Sequence, residues 1–523
     1  MYFNHLLFHL TFISFASTFN FSQSQYSHKP PFFLYAKVNN TRLASFRSPY
    51  ISITKETYQH TPNSKERKLT AFFSGNPKLS PIFYGQIYKG GADYTIASMS
   101  VYRYGWGIKT RYDSDNISIQ SEFINHTFIG LTSKPYSFSS QQGLSQFVGW
   151  PYSDAKSVFD ARVSNMIFTY NKSDFNLQIG KYDRVLGPGI SSIIISKKSP
   201  SFPQLGFSWQ INNKIKFEYF VGILRSLIKD NIATEYYNNP ITSRNVQVKR
   251  SISAHRVEIS LFPNIQLSFT ESMIYARRDF EVHYFPFIAF WPMKNYIGDL
   301  DNMQISVDLV WQPNYKSKLY SVVFIDEMDP RGILTNPLSI FRKENENWWA
   351  WQLGTSYKDL LVGCDEIRIE YSWLDHRVYR NKISINDYYH YGYPLGFWAG
   401  PHSEELYIDY TFNMFNSQFR FSYSNARRGH LTQKMLIDAY NDVYHNRYEG
   451  DTENKVEIEL SVEKEVFSNF YLNFGIQYLD WENPNFDLYD DGASEVLQSP
   501  LKKGTISIGF TYGFSQMKLR NRN

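Results

Sequence analysis

Basic and aromatic side chains are interleaved in three stretches of this chain. Residues 275–302 carry Tyr275, Arg277, Arg278, Tyr284, Trp291 and Tyr296. Residues 375–403 carry Arg377, Tyr379, Arg380, Tyr389, His390, Tyr391, Tyr393, Trp398 and His402. Residues 427–453 add Arg427, Arg428 and Tyr448. Flat rings offer apolar faces to sugars, and guanidinium forks offer paired donors to carboxylate or phosphate. Such a mixture suits an acidic polysaccharide. The residues singled out for it are Arg277, Arg278, Trp291, Arg377, Arg380, Tyr391, Trp398, Arg427 and Arg428. The plainer reading is an aromatic girdle at a membrane interface, with the arginines meeting lipopolysaccharide phosphates or solvent.

Other chemistry has less support. Asp375 and His376 could form an acid–base pair, but neighbours on a strand point to opposite faces, and only an irregular backbone would join them. No serine–histidine–acid arrangement can be assembled from spacing, so no enzyme is expected. Carboxylates cluster at Asp299, Asp301 and Asn302, at 326–329 (DEMD), and at Asp487, Asp490 and Asp491. None has the regular spacing of a calcium loop, and ordinary turns or caps are the expectation. There is no Gly-rich phosphate loop, no CxxC and no HExxH, so neither a cofactor nor a metal is called for.

The elements that would position these residues are strands. Ile506, Ile508, Phe510, Tyr512 and Phe514 alternate with Thr505, Ser507, Gly509, Thr511 and Gly513. Val456, Ile458, Leu460 and Val462 alternate with Lys455, Glu457, Glu459 and Ser461. The same period of two runs through 406–414, 367–373 and 215–221. A helix would spread those charges around its circumference, whereas a strand puts every apolar residue on one face. Short turns fall near Ser114, Lys172, Asn213, Asn264, Tyr315, Gly363, Asn416 and Ser468, at intervals of 41 to 58 positions. Between them lie long polar loops near 130–160, 182–203, 225–250, 275–302, 328–345, 375–403, 427–453 and 482–503. Short turns at one end and long loops at the other are the asymmetry of a transmembrane antiparallel β-barrel, with the short turns periplasmic and the long loops extracellular.

The eight turns flank sixteen strands, and 504–514 makes seventeen. An even number leaves no unpaired edge, so a further strand is expected at Pro81–Lys89; the fold class is all-β, a barrel of about eighteen strands, with sixteen as the alternative. A lumen that wide is an aqueous channel unless something fills it. Its expected lining includes Lys216, Glu218, Arg368, Glu370, Asp409, Arg420, Glu457, Glu459 and Glu463. These mixed charges read either as a salt-bridged wall or as a selectivity surface.

Composition agrees. The chain has 523 residues, with 40 Tyr, 42 Phe and 11 Trp, yet no internal apolar run long enough for a membrane helix. Mean hydropathy is −0.41, as expected when lipid-facing and lumen-facing residues alternate. The net charge of +5 does not point to nucleic acid. The single Cys364 falls at a tight turn and excludes an internal disulfide. The apolar stretch Leu6–Phe19 reads as the core of an export signal, too short to span a bilayer. The expected organisation is a signal peptide at 1–25, a periplasmic segment at 26–80, the barrel at 81–515 and a tail at 516–523.

Three segments carry a family resemblance. They are GKYDRVLGPGISSIIISKKSPSFPQLGFSW (Gly180–Trp209), YIGDLDNMQISVDLVWQP (Tyr296–Pro313) with LYSVVFIDEMDP after it, and YGYPLGFWAGPHSEELYIDYTF (Tyr391–Phe412). In order and in placement at loop–strand junctions they resemble the capsule-assembly Wzi family of outer-membrane proteins. The resemblance spans roughly residues 80–515. It implies an eighteen-strand barrel with a non-enzymatic, lectin-like role in binding or organising exported capsular polysaccharide at the cell surface. The best-known form of the family has a helical bundle closing the periplasmic end. Residues 26–80 here are polar and show no long amphipathic helix, which leaves open whether the pore is closed. Expected partners are surface polysaccharide, outer-membrane lipids with lipopolysaccharide, and the barrel assembly machinery. The alternative is a general diffusion porin for small polar solutes.

Overall fold

The computed structural model describes residues 77–514 apart from 91–99, 132–137, 144–146, 151–156, 240, 242–243, 328–346, 362–364, 442, 444 and 484–499. The expected signal peptide, most of the periplasmic segment, Gly363, Cys364 and the Asp487–Asp491 carboxylates lie outside the described residues.

Eighteen long strands follow one another around a closed wall. The first six are β1 (Lys78–Lys89), β2 (Val101–Asp113), β3 (Ile117–Leu131), β4 (Ser157–Lys172), β5 (Phe175–Tyr182) and β6 (Phe202–Gln210). Next come β7 (Ile215–Lys229), β8 (Gln247–Phe262), β9 (Ile265–Ala276), β10 (Asn302–Trp311), β11 (Ser317–Glu327) and β12 (Trp348–Lys358). The last six are β13 (Glu366–Leu374), β14 (Ser403–Met414), β15 (Ser417–Gly429), β16 (Thr452–Phe467), β17 (Phe470–Glu482) and β18 (Leu501–Tyr512). Each is antiparallel to its neighbours. β18 pairs back onto β1, Phe83 opposite Tyr512 and Lys89 opposite Ile506, so no edge is left exposed. The expected short turns within the described residues fall between consecutive strands at one end. The expected strand at Pro81–Lys89 is β1, beginning three residues earlier.

Alternation decides which way each residue faces. On β17 and β18, Leu472, Phe474, Ile476, Ile506 and Ile508 point outward and remain exposed, as a lipid-facing surface requires. In the lower half of the lumen the inward residues are charged and paired. Arg256 meets Asp308 at 2.6 Å and Glu258 at 2.9 Å, Lys216 meets Glu258 at 3.2 Å, and Arg420 meets Asp409 at 2.5 Å.

The upper half departs from that rule in two ways. Inward residues of β7 and β8 there include apolar ones: Phe220, Leu224, Ile252 and Ala254 are fully or almost fully buried. They pack against two connections, 183–201 and 375–402, that fold into the lumen and carry Leu186, Ile193, Ile194, Ile195, Val378, Tyr379, Leu395 and Phe397. A hydrophobic core thus sits inside the barrel. On the outside, outward residues of β8 and β9 are polar where lipid would be expected: Ser251, Ser253, His255 and Glu271. The connection 277–301 descends over them. Phe287 stacks on outward-facing Phe217 at 4.5 Å, and Phe290 packs on His255 at 4.3 Å. His255 pairs with Glu271 at 2.9 Å beneath it, and Glu271 also accepts the Phe290 amide at 3.0 Å. Two of the connections expected to be long polar extracellular loops are therefore a plug, and a third is a clasp on the outer wall. Each goes where its apolar side chains find cover.

Candidate functional site: the occluded lumen and its rim

The plug is anchored from several strands. Connection 183–201 leaves β5, turns through Gly187–Gly189 and reaches the opposite wall. There Gln352 Nε2 donates to Ser191 O at 2.8 Å, and Lys318 Nζ to Pro188 O at 3.4 Å. A cavity of about 210 Å³ remains below it, lined by Pro188, Ile190, Lys316, Lys318, Lys358, Glu366 and Arg368 among others. On the way in, Arg184 is fixed by Glu218 at 2.5 Å and lies over Phe220 at 4.2 Å. Connection 375–402 contains a short hairpin pairing Tyr389–His390 with Tyr393–Pro394. Arg250 Nη1 donates to the carbonyls of Asp387 at 2.7 Å and Ile385 at 3.0 Å, and its Nη2 to that of Tyr389. Tyr379 joins the two connections: its hydroxyl donates to Ile193 O at 2.5 Å and accepts the Phe397 amide at 2.9 Å.

The residues expected to meet a polysaccharide are not brought to one surface. Arg377 and Arg380 are buried struts, paired with Asp375 at 2.9 Å and Asp387 at 3.1 Å. Trp398 is buried in the plug, where its Nε1 donates to Glu405 at 2.8 Å and its ring lies 5.0 Å from Phe138. Arg428 points inward to Glu453 at 2.5 Å. Tyr391 is half-buried at the hairpin turn, with φ 52°, edge-on to His390. Trp291 sits on the clasp helix Phe290–Tyr296, outside the wall and 47% exposed. Arg278 braces the clasp through Glu281 at 2.8 Å and through Asp301. Arg427 faces outward near the top of β15, over the Tyr448 ring at 3.9 Å. Only Arg277, paired with Asp230 at 3.4 Å, is well exposed at the rim. An arginine in a loop that folds inward needs a carboxylate near it, and here the loops supply their own.

Of the expected lumen set, Lys216, Glu218, Arg368, Glu370, Asp409 and Arg420 lie on inward positions, Arg368 reaching Asp409 at 3.4 Å. Glu457 and Glu459 share the inward face of β16, with Glu457 accepting from Gln477 at 2.8 Å and meeting Lys455 at 3.3 Å. The candidate calcium carboxylates are engaged by cations instead: Asp299 by Lys294 and Lys382, Asp301 by Arg278. Asp326 is buried and accepts from Gln304 at 3.1 Å.

Asp375 and His376 do meet, at 3.3 Å, because the backbone leaves β13 there and turns. Asp375 is held by Arg377 through its Nε at 2.9 Å and Nη2 at 3.1 Å. Burial alone would raise that carboxyl, but His376 and Arg377 outweigh it and bring it down to about 2. Burial pushes His376 down to about 4 against the pull of Asp375. It pushes His402, beside His376, to about 3. His402 shares two bonds across the rim: its Nδ1 lies 2.8 Å from His430 O, and its Nε2 accepts the Tyr448 amide at 2.8 Å. This is a packed, neutral-histidine seam joining two connections.

What sequence reading missed was the plug. The signal was Ile193–Ile195, an apolar run in a stretch otherwise read as a polar loop.

A closed eighteen-strand antiparallel wall with an apolar exterior and a filled interior defines the class: this is a bacterial outer-membrane β-barrel. The chain is similar in fold to Wzi of Escherichia coli, an outer-membrane protein involved in group 1 capsule assembly and a carbohydrate-binding β-barrel. The TM-score is 0.50 at 13% identity, over 86% of each chain. OccK3 (OpdO) of Pseudomonas aeruginosa is similar at TM-score 0.44 and 10% identity, covering 85% of this chain and 98% of that one. OprD of the same organism is similar at 0.42 and 9%, covering 84% and 94%. No family model matches the sequence, and no curated protein matches it.

Proposed function

We propose that this barrel binds or organises an exported surface polysaccharide at the cell face, as a lectin-like, non-enzymatic protein. The observation that carries the reading is the occluded lumen. A barrel of this width serves diffusion only when its interior is clear. Here two connections fill the upper interior with an apolar core, so the wall supports a surface instead of a passage. Likeness in fold to a carbohydrate-binding barrel supports the same reading. Engagement of Asp375 by Arg377 argues against its serving as the acid or base of a hydrolase. Rim side chains open to a sugar among the described residues include Arg277, Tyr236 and Tyr237, all well exposed.

The test is retention of surface polysaccharide in a strain lacking the gene, together with glycan-array binding by the purified barrel. Loss of retention and array binding are expected. Unchanged retention with no array signal would sink the proposal. Steady, large conductance in planar bilayers would favour a diffusion channel.

A further inference from the structure

High on the outer wall, away from the clasp, strands β12, β13 and β15 and the connection after β15 assemble an aromatic and cationic patch. Trp349 and Trp351 of β12 and Tyr371 and Trp373 of β13 face outward, on the opposite side from buried Ala350, Gln352 and Ser372. Their rings lie close, 5.4 Å for Trp349–Trp373 and 5.2 Å for Trp351–Tyr371. Arg427 of β15 faces the same way, between inward Ala426 and Arg428. The connection after β15 lays Arg447 over Trp373 at 4.4 Å and brings Tyr448 under both guanidinium groups, 3.9 Å from Arg427 and 4.6 Å from Arg447.

The charges are unequal. Arg447 is compensated: Glu404 lies 3.5 Å away, and its nitrogens donate to the carbonyls of Leu374 at 2.5 Å and Ser403 at 3.1 Å. Arg427 has no carboxylate within ion-pair distance among the described residues, and its buried Nε, like that of Arg447, has no hydrogen-bond partner. A half-buried guanidinium with an unused donor is costly unless an anion meets it.

Height in the membrane identifies the anion. Trp349 is the second residue of β12, Trp373 the last but one of β13, and Arg427 the third from the end of β15, all at the long-loop end. That is the level at which outward aromatic rings meet headgroups. We propose that this patch is a binding site for the phosphorylated sugar headgroup of an outer-leaflet glycolipid. Arg427 donates to the phosphate, and Arg447 flanks it. Trp349 and Trp373 lie under the sugar and the first acyl carbons. The site faces outward, apart from the exposed Arg277, Tyr236 and Tyr237, and does not depend on polysaccharide binding there.

The experiment uses the full barrel in detergent and native mass spectrometry with three probes: lipid A carrying its phosphates, the same lipid with its phosphates removed, and inorganic phosphate. Wild type is expected to retain one phosphorylated lipid at least tenfold more tightly than the dephosphorylated one. Arg427→Ala should bind both alike, with Arg427→Lys in between because it keeps charge but loses the planar fork. Arg111→Ala, an arginine at the short-turn end of β2, should match wild type. Heat-modified gel mobility, which reports the closed barrel, should be unchanged in all three variants. Equal retention of the two lipids by wild type, or full retention by Arg427→Ala, overturns the proposal. Displacement of the lipid by millimolar inorganic phosphate overturns the glycolipid assignment and leaves a simple anion site.

Discussion

The carboxylate of Glu370, fixed on the barrel wall, accepts the backbone amides of Ile190 at 2.7 Å and Ser191 at 3.1 Å, from a connection that starts on the far side of the lumen. One acidic side chain thereby holds the tip of the plug, with the Tyr320 hydroxyl donating to the same carboxylate at 2.5 Å.

Replacing Glu370 with Ala should release that tip. Two buried amides lose an acceptor, each worth roughly 1–3 kcal/mol when left unmet. The expected result is a wall that still closes but a plug that opens, read as new conductance steps in planar bilayers where wild type is silent. Continued silence of Glu370→Ala would show that the apolar core alone seals the lumen.

Tyr379 tests that core directly. Tyr379→Phe removes one hydroxyl that bonds both plug segments and should cost about 1 kcal/mol. Tyr379→Ala also leaves a cavity among buried rings and should cost about 3–5 kcal/mol. Thermal unfolding followed by near-ultraviolet circular dichroism ranks the two. Equal losses would mean that the ring contributes nothing beyond its hydroxyl.

In the lower lumen, Asp308→Asn leaves Arg256 with Glu258 still beside it at 2.9 Å and should destabilise by about 1–3 kcal/mol. The double variant Asp308→Leu with Arg256→Met should recover most of that, because two buried charges leave together. Urea unfolding in detergent measures both.

The rim seam should be sensitive to acid. His402 is held neutral in the fold, down to about 3, whereas a released imidazole takes a proton near 6.5. Between those values the open form binds the extra proton and the closed form does not, so the stability present at neutral pH is lost as pH falls. Exchange of the Tyr448 amide should speed up by about tenfold per pH unit below 6.5, beyond the intrinsic pH effect on exchange. His402→Gln should weaken this dependence, leaving the part that His376 contributes. A Tyr448 amide equally protected at pH 7 and pH 4.5 would contradict the assignment.

Strand positions were legible from the sequence because the period-two signal is local: whether Ile506 and Ile508 face lipid is decided by their immediate neighbours. Turn positions follow from the same signal, and closure adds the eighteenth strand by parity. The fate of the connections was not legible. Whether 183–201 projects outward or folds inward depends on Glu370, some 180 positions away, and on cover for Ile193–Ile195. The arginines misled for the same reason. Arg377 and Arg428 look like surface ligands in a list of loop residues, yet each has its carboxylate within the fold. One clue was present: Ser251, Ser253, His255 and Glu271 break the apolar face of β8 and β9, which is what a covered exterior looks like in sequence.

That covered exterior gives the barrel a front and a back. Between β6 and β10 the wall is two layers thick, and Phe280, Val282, Phe285, Phe287 and Trp291 of the clasp stand out from it, all exposed. A cylinder with a keel cannot be rotationally anonymous: anything travelling in the plane of the membrane meets a different protein depending on the side from which it arrives.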